Sequence, residues 1–578
     1  MSSQKNSAAE ISASCKSLPL KSLKKVLTPI SDFEKESVTD IDLTSLPKRK
    51  DVVGGPKEPV YDKADQADIQ GNIIPGFNKG HQRILFFKFG QRKAAKRFLG
   101  AVLPHISSME EVIDFRQAYR TRRMKLGKAK VFLSSTHLNL AFSFNGLSKL
   151  TSKKEVAKFG DTPFSLGMAE RSTFLGDPSS KRSKGHASKW KFGGPDSEAD
   201  LVVIVASDNE NQCSELSAVV KAEADENGME LIYEQVGKTL PGALHGHEHF
   251  GFKDGISQPG IRGKLSKAPG DYITPRFFSD SDERRLYFAK PGQQLVWPGQ
   301  FLLGEKRQDS EDLTEAFGAQ KNFSSWAKRG SFLVIRRLSQ NVPAFWSFVS
   351  DAAKQLRVDP VWFASRLVGR WPSGAPVLRS PKKDNCKLGA DEFANNHFLF
   401  DDDTAPSKLK KITGYGGDKF EDANADFLAT VCPHFAHIRK VNMRESVTDM
   451  GKPEDNGIRF IMRRGIPFGD PILGCKSFTK KEVSQDRGLM FLCYNSSIEE
   501  QFEFLQRRWA NGPVAPNVGG FDPIIGQNGM GNRTRYIDFP LENGQKTRIK
   551  IADDFVVPTG GGYFFAPTVG TVANVLAK

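Results

Sequence analysis

Histidines and an acidic residue are concentrated in residues 245–255, which read HGHEHFGFKDG. On a strand, the three alternating histidines would place their imidazoles on one face, where they could bind a metal ion. Asp254 follows in a segment that Gly251 and Gly255 make irregular, so its carboxylate could be presented to a pocket. An aspartate that only caps a turn gives the same local pattern. The alternating histidines are His245, His247 and His249.

Two further stretches carry groups that suit an anionic cofactor. CPHFAHIRKVNMR contains His434 and His437 followed by cations, and a neutral imidazole beside cations suits haem iron and its propionates. RFIMRRGIPFG has a strand pattern that ends in Arg463 and Arg464. Neighbouring strand residues face opposite sides, so only one of these arginines can face a given pocket. Core histidines and a surface arginine pair are the alternative interpretations.

Composition narrows the class of protein. The chain has 578 residues, a net charge of +16 and six cysteines without a CxxC pair, which indicates neither a zinc site nor a disulfide framework. No apolar run approaches the roughly 20 residues of a membrane span. The N-terminus lacks the apolar core of a secretory signal, so an intracellular, cytoplasmic protein is expected. The charge favours a solvated basic surface over a specific nucleic-acid partner, because no nucleic-acid motif accompanies it.

The order of strand and helix patterns predicts a duplicated α+β architecture. Residues 1–65 are poor in aromatics and rich in Ser, Lys and Asp, which predicts a disordered basic tail. Residues 66–310 follow the order β-α-β-β-α-β, and residues 311–578 repeat it with long insertions. We therefore expect two ferredoxin-like domains with antiparallel sheets and a ligand site near their interface.

Several motifs occur in an order that is similar to that of one known family. HFGFKDGISQP, WPGQF, AHIRK, RRGIPFG, LMFLCYNSSIEEQFEFLQ and DPIIG are spread over residues 66–578, and this ordered set resembles the dye-decolorizing peroxidases. The resemblance implies two ferredoxin-like domains and one haem b per chain, bound by the C-terminal domain near the domain interface. It also implies that hydrogen peroxide is reduced while organic substrates, such as dyes or phenols, undergo one-electron oxidation.

The resemblance also assigns roles to individual residues. Asp254, in GFKDG, aligns with the aspartate that acts on peroxide, and Arg463 aligns with the arginine beside it. His437 aligns with the histidine that ligates the iron. The other residues expected at the cofactor are Arg439, the apolar pair Leu489 and Phe491 on the peroxide side, and Asp522 as the carboxylate behind His437.

Three positions depart from the family pattern. His434 stands where relatives usually have an apolar residue, Met443 replaces a proline, and Phe468 replaces a tyrosine suited to electron relay in some relatives. Trp509 is then the candidate relay to bulky reductants. The alternative functions are a haem-binding or porphyrin-handling protein with little turnover, and a non-haem metal protein that uses the three histidines. A homo-oligomer is left open.

Overall fold

The structure is a computed structural model of the chain. It describes residues 57–126, 133–278, 282–309, 314–401, 412–413, 419–420, 423–472, 482, 484–529, 534–541 and 544–578. Most of the predicted tail, residues 1–56, lies outside the described residues.

The first half of the molecule is an antiparallel sheet with three main helices between its strands. Its elements are β1 (His81–Lys88), α1 (Arg92–Val102), α2 (Met109–Leu126), β2 (Thr136–Phe142), β3 (Leu201–Ser207), α3 (Glu210–Glu226) and β4 (Glu230–Lys238). β3 has the apolar sequence LVVIVAS and is buried along its whole length, as a strand covered on both faces requires. The strand order β2-β3-β1-β4 is that of a ferredoxin-like fold.

The second half repeats this arrangement. Its elements are β5 (Ser331–Gln340), α4 (Val342–Leu356), α5 (Pro360–Val368), α6 (His437–Val441), β6 (Met462–Arg463), β7 (Ile466–Phe468), β8 (Gly488–Asn495), two π-helical stretches (Ile498–Glu503 and Leu505–Ala510) and β9 (Val556–Ala566). The strands order as β6-β8-β5-β9, with β7 also paired to β8. All of these pairs are antiparallel.

Shorter elements connect or cover the main ones. Helices lie at Lys63–Asp68, Phe144–Leu150, Lys153–Val156, Thr162–Leu166, Met168–Arg171 and Cys386–Ala390, and Arg535–Pro540 pairs with Lys546–Ile551. No helix within the described ranges is long and apolar enough to cross a membrane.

The two halves share one nine-stranded sheet. β9 pairs with β2 through Phe565 and Phe142. At the other end β4 approaches β7, where a Cβ on Gly237 would come 2.5 Å from Cγ2 of Ile466. The sheet therefore curls until its ends meet, and side chains from both halves fill its interior. These include Phe86, Ile204, Leu333, Met490 and Phe564.

The predicted α+β class with two ferredoxin-like halves is confirmed, whereas the tail boundary at residue 65 needs correction. Residues 57–65 pack on the fold, because Tyr61 is 1% exposed and Glu58 forms an ion pair with Arg276 at 2.7 Å. The tail was predicted from the average composition of residues 1–65, and this average does not show that Tyr61 and Glu58 pack on the fold. The domain division at residue 310 stays a prediction, and the C-terminal residues Val572 and Leu576 pack in the apolar core of the first half.

Candidate active site

A cavity of about 990 Å³ lies against the outer face of β8. Leu489 and Phe491 line the cavity. The alternate residues of the strand, Met490 and Leu492, point into the sheet interior. This is the alternation of side chains along a strand. The loop that carries Asp254, helix α6 and the two π-helical stretches supply further walls.

His437 is the first residue of α6 and lines the cavity. Its Nδ1–H donates a hydrogen bond of 2.8 Å to Oδ2 of Asp522, which is fully buried. Oδ1 of Asp522 accepts from the backbone N–H groups of Ile524 and Ile525. Burial lowers the pKa of His437, but the charge and hydrogen bond of Asp522 outweigh burial and raise it above its usual range. The other ring nitrogen, Nε2, is left available to the cavity.

Asp254 and Arg463 form an ion pair on the same cavity. Arg463 donates from Nη1 to Oδ1 of Asp254 at 3.0 Å and from Nη2 to the carbonyl of Ser257 at 2.8 Å. The backbone N–H of Gly255 donates to Oδ1 of Asp254 at 2.6 Å. Burial raises the pKa of Asp254, but the Arg463 charge and these hydrogen bonds outweigh it and hold the pKa below its usual range. The ionised carboxylate is 40% exposed and can accept a proton from a molecule in the cavity.

The two pairs also act on each other electrostatically. The positive charge of Arg463 lowers the pKa of His437, and the negative charge of Asp254 raises the pKa of His437. His437 in turn helps to lower the pKa of Asp254. The three aligned residues are therefore brought to one cavity, with a carboxylate behind the histidine and an arginine beside the aspartate.

Two side chains that the sequence did not single out hold this arrangement in place. The side chain of Gln258 forms two hydrogen bonds with the backbone of Arg463. Its Oε1 accepts from the N–H of Arg463, and its Nε2 donates to the carbonyl of Arg463. Glu248 accepts backbone hydrogen bonds from Phe250 and Phe252 and so fixes the loop that leads to Asp254. Burial raises the pKa of Glu248 to about 7. Glu248 lies among the alternating histidines and Gln258 lies in the HFGFKDGISQP motif, but neither residue was assigned a role from the sequence.

Arg439 was expected at the cofactor, but it does not line the cavity. A helix turns by about 100° per residue, so Arg439, two residues after His437, faces roughly the opposite side of α6. Its guanidinium is fully buried and forms ion pairs with Asp401 and Asp426. Arg439 therefore stabilises the fold around α6.

Two other arginines take the cavity-lining position instead. Arg370 and Arg444 are buried, and both donate to Oδ1 of Asn396, at 3.0 and 2.6 Å. Their other partners are backbone carbonyls and the Ser257 hydroxyl, and within the described ranges neither forms an ion pair with a carboxylate. Burial lowers the pKa of Arg370 to about 9 and that of Arg444 to about 10. Two adjacent buried cations with neutral partners suit the anionic groups of a ligand.

The remaining candidates lie off the cavity. Arg464 faces away from Arg463 and donates to the carbonyls of Asn72 and Ile73, both at 2.9 Å. Nδ1 of His434 lies 3.2 Å from the carbonyl of Val518, and the ring does not line the cavity.

The alternating histidines do not form a metal site. His247 lies 3.1 Å from the carbonyls of His245 and Pro372, and His249 lies 2.9 Å from that of Phe468. In the part of the chain that the structure describes, no three His, Cys, Asp or Glu side chains are grouped to hold a metal ion. The non-haem metal alternative is therefore wrong for these histidines.

Comparison with known proteins agrees with the fold and the site. Residues 68–241 match the model of the DyP dimeric alpha+beta barrel domain, and residues 395–516 match that of the Dyp-type peroxidase C-terminal domain. Peroxidase 2 of Mycetinis scorodonius is 31% identical over 88% of this chain and 87% of its own length. The dye-decolorizing peroxidase of Mycena epipterygia is 32% identical over 90% of each chain.

Solved structures give the same result. An ancestral D-type dye-decolorizing peroxidase superimposes with a TM-score of 0.69 at 31% identity, over 89% of this chain and 99% of that one. A dye-decolorizing peroxidase in complex with 2,6-dimethoxyphenol has a TM-score of 0.64 at 28% identity, with the same coverage. The chain therefore belongs to the dye-decolorizing peroxidase family and is a haem peroxidase that oxidises organic substrates.

Proposed function

We propose that His437 ligates the iron of one haem b per chain, and that Asp254 and Arg463 act on hydrogen peroxide at the opposite side of the cavity. The observation that carries this proposal is the meeting of two polar pairs, His437 with Asp522 and Arg463 with Asp254, on one largely apolar cavity. Each pair contains the residue type that its role requires.

The residues present fit a haem group. Asp522 occupies Nδ1 of His437 and leaves Nε2 as the ligand atom, in the way that a carboxylate orients a metal-bound imidazole. Arg370 and Arg444 are buried cations without carboxylate partners in the described ranges, so they would hold the propionates. Leu489 and Phe491 supply an apolar wall that limits the entry of water.

When bound, haem supplies an iron that binds peroxide and the electrons that cleavage of the O–O bond requires. Asp254 would take the proton from one peroxide oxygen and return it to the other, since its ionised carboxylate is exposed to the cavity. The guanidinium of Arg463 stabilises negative charge on the leaving oxygen. Asp522 increases the electron-donating strength of the His437 imidazole.

The reductants that we propose are phenols and related aromatic compounds. A structural relative binds 2,6-dimethoxyphenol, which supports this class. Trp509 lines the cavity, but it is 1% exposed and donates from Nε1 to Asp449 at 3.3 Å. A bulky reductant therefore cannot stack directly on this ring, and any relay through Trp509 must receive its electron across the side chains that cover it.

The absorption spectrum of the purified protein, before and after one equivalent of hydrogen peroxide, tests the proposed function. A haem peroxidase gives a Soret band that shifts rapidly with peroxide and returns when a phenol is added. Slow bleaching without return would indicate a haem-binding protein with little turnover, and would contradict the proposal.

A further inference from the structure

A buried tyrosine with a carboxylate partner lies behind one wall of the cavity. The hydroxyl of Tyr563, on β9, donates to Oε1 of Glu503 at 2.7 Å. Tyr563 is 3% exposed and the Glu503 side chain is 1% exposed. Arg171 donates from Nε to the same Oε1 at 2.6 Å and from Nη2 to Oε2, which provides the carboxylate with a cation. This triad takes no part in the site described above.

The tyrosine ring is separated from the cavity by a single layer of aromatic side chains. Phe502 lines the cavity and lies edge-on to Tyr563, with ring centroids 6.3 Å apart. Phe491, also on the cavity, lies 6.0 Å from Phe502. Phe502 and Glu503 are consecutive residues of the first π-helical stretch. The same π-helical turn therefore places the ring of Phe502 on the cavity and the carboxylate of Glu503 against the hydroxyl of Tyr563.

We propose that Tyr563 is an internal electron donor to the cofactor site after peroxide has oxidised it, with Glu503 as the acceptor of the phenolic proton. One electron passes from the phenol ring to the oxidised site, and the hydroxyl proton moves to Oε1 of Glu503. The products are a neutral phenoxyl radical and a neutral carboxylic acid. An organic reductant later returns the electron, and the proton moves back to the tyrosine oxygen.

The surroundings of Tyr563 favour this coupled transfer. Burial raises the pKa of Tyr563 well above its usual range, so the phenol is protonated before oxidation. A phenol that loses an electron becomes a strong acid, and burial excludes water as the proton acceptor. Glu503 is the group in position to accept that proton. The intervening Phe491 and Phe502 have no proton to lose, so they carry the electron without holding the oxidising equivalent.

The test is electron paramagnetic resonance of the haem-loaded enzyme, frozen shortly after mixing with peroxide in the absence of a reductant. The chain contains nine tyrosines, so each signal must be assigned by substitution. Ring-deuterated tyrosine distinguishes a tyrosyl radical from a tryptophanyl radical on Trp509. Tyr563→Phe removes the hydroxyl and keeps the ring. Tyr494→Phe is the matched control, because Tyr494 is equally buried but has its side chain in the sheet interior.

We expect a tyrosyl signal in the wild type and in Tyr494→Phe, and its loss in Tyr563→Phe. Formation of the signal should be slower in D2O, because a proton moves with the electron. Glu503→Gln should also lose the signal while retaining haem, since an amide is a poor proton acceptor. A tyrosyl signal that persists in Tyr563→Phe, or no tyrosyl signal in the wild type, would overturn the inference.

The inference rests on the proposed function, and the Soret band recorded on the same samples separates the two failures. If peroxide shifts the band and no radical forms on Tyr563, only the inference fails. If peroxide does not shift the band, the proposed function fails and the inference falls with it.

Discussion

The two halves of the molecule have the same strand order but use their outer faces differently. In the first half, α1 and α3 cover the outer face of the sheet with apolar side chains such as Phe98 and Val220, which belong to the same buried cluster as Val203. In the second half, the helix that corresponds to α1 is α4, and it packs to one side of the sheet. Its Phe345 stacks on Phe250, with ring centroids 4.4 Å apart. The outer face of β8 then borders the cavity.

This difference explains why the cavity lies against the sheet of only one half, although Asp254, from residues 66–310, also lines it. A covered face gives a dry core that stabilises the fold, whereas an uncovered face leaves room for a ligand. The residues that we propose to act on the ligand come from the segments around that open face: the loop that carries Asp254, α6 with His437, and β6 with Arg463. Substitutions in the two halves should therefore have separable effects.

The largest effect is expected at His437. His437→Ala removes the proposed iron ligand, so the folded protein should contain no stably bound haem. His434→Ala is the control, because His434 lies off the cavity, and it should retain most of its haem. Haem content per folded chain, from the Soret and protein absorbance, distinguishes the two. A reversed result would mean that His434 is the ligand.

In the covered half, the expected effect is on stability and not on chemistry. Phe98 is fully buried, and Phe98→Ala should lower the free energy of unfolding by about 3–5 kcal/mol. Denaturant unfolding measures this loss. The molecules that remain folded should take up haem and react with peroxide at the wild-type rate. A slower peroxide reaction in these molecules would show that the two halves are not separable.

A smaller effect is expected at the buried arginines of the cavity. Arg444→Met removes a charged donor to the propionates, worth about 1.5–3 kcal/mol, so haem should bind about tenfold more weakly or worse. Arg439→Met is the comparison: it breaks buried ion pairs and should mainly lower stability, with haem affinity of the folded form retained. Haem titration and denaturant unfolding, run on both variants, check the two predictions separately.

The smallest effect is a shift in pH dependence. Arg463 helps to hold the pKa of Asp254 below its usual range, so the ionised, active form persists into acidic solution. The peroxide reaction should decline only as the pH falls through that lowered pKa. Arg463→Leu should slow the peroxide step, because the leaving oxygen loses its positive partner. The variant also removes the charge beside Asp254, so the pKa of Asp254 rises and the acid limb should move to higher pH. An acid limb that stays in place would show that another group titrates.

The duplicated fold and the residues that we propose for the site were accessible from the sequence. The βαββαβ order was visible because apolar runs such as LVVIVA and LMFLCY are long and bounded by turns. Asp254, His437 and Arg463 were found because each lies in a distinctive motif, and strand alternation correctly separated Arg463 from Arg464.

Other features depend on tertiary contacts that a sequence pattern does not encode. Arg439 and Arg444 lie in one basic stretch, but Arg439 is on α6 and faces away from the cavity, whereas Arg444 follows the end of α6 and lines it. Arg370 comes from a distant segment without a recognisable motif. The apolar spacing of residues 497–509 predicts one helix, and the structure has two consecutive π-helical stretches there, Ile498–Glu503 and Leu505–Ala510.

Asp254, held by Arg463, is the residue that we propose as the base that acts on peroxide. Stopped-flow mixing of haem-loaded Asp254→Asn with hydrogen peroxide tests this proposal most directly, because the amide retains the size of the side chain and removes its basicity. Arg464→Leu, altered at the next residue, whose side chain faces away from Arg463, is the matched control and should react at the wild-type rate per haem. We predict that Asp254→Asn binds haem normally and reacts about 10²–10⁴-fold more slowly. A wild-type rate in Asp254→Asn would contradict the account and leave Asp254 with a role in shaping the loop.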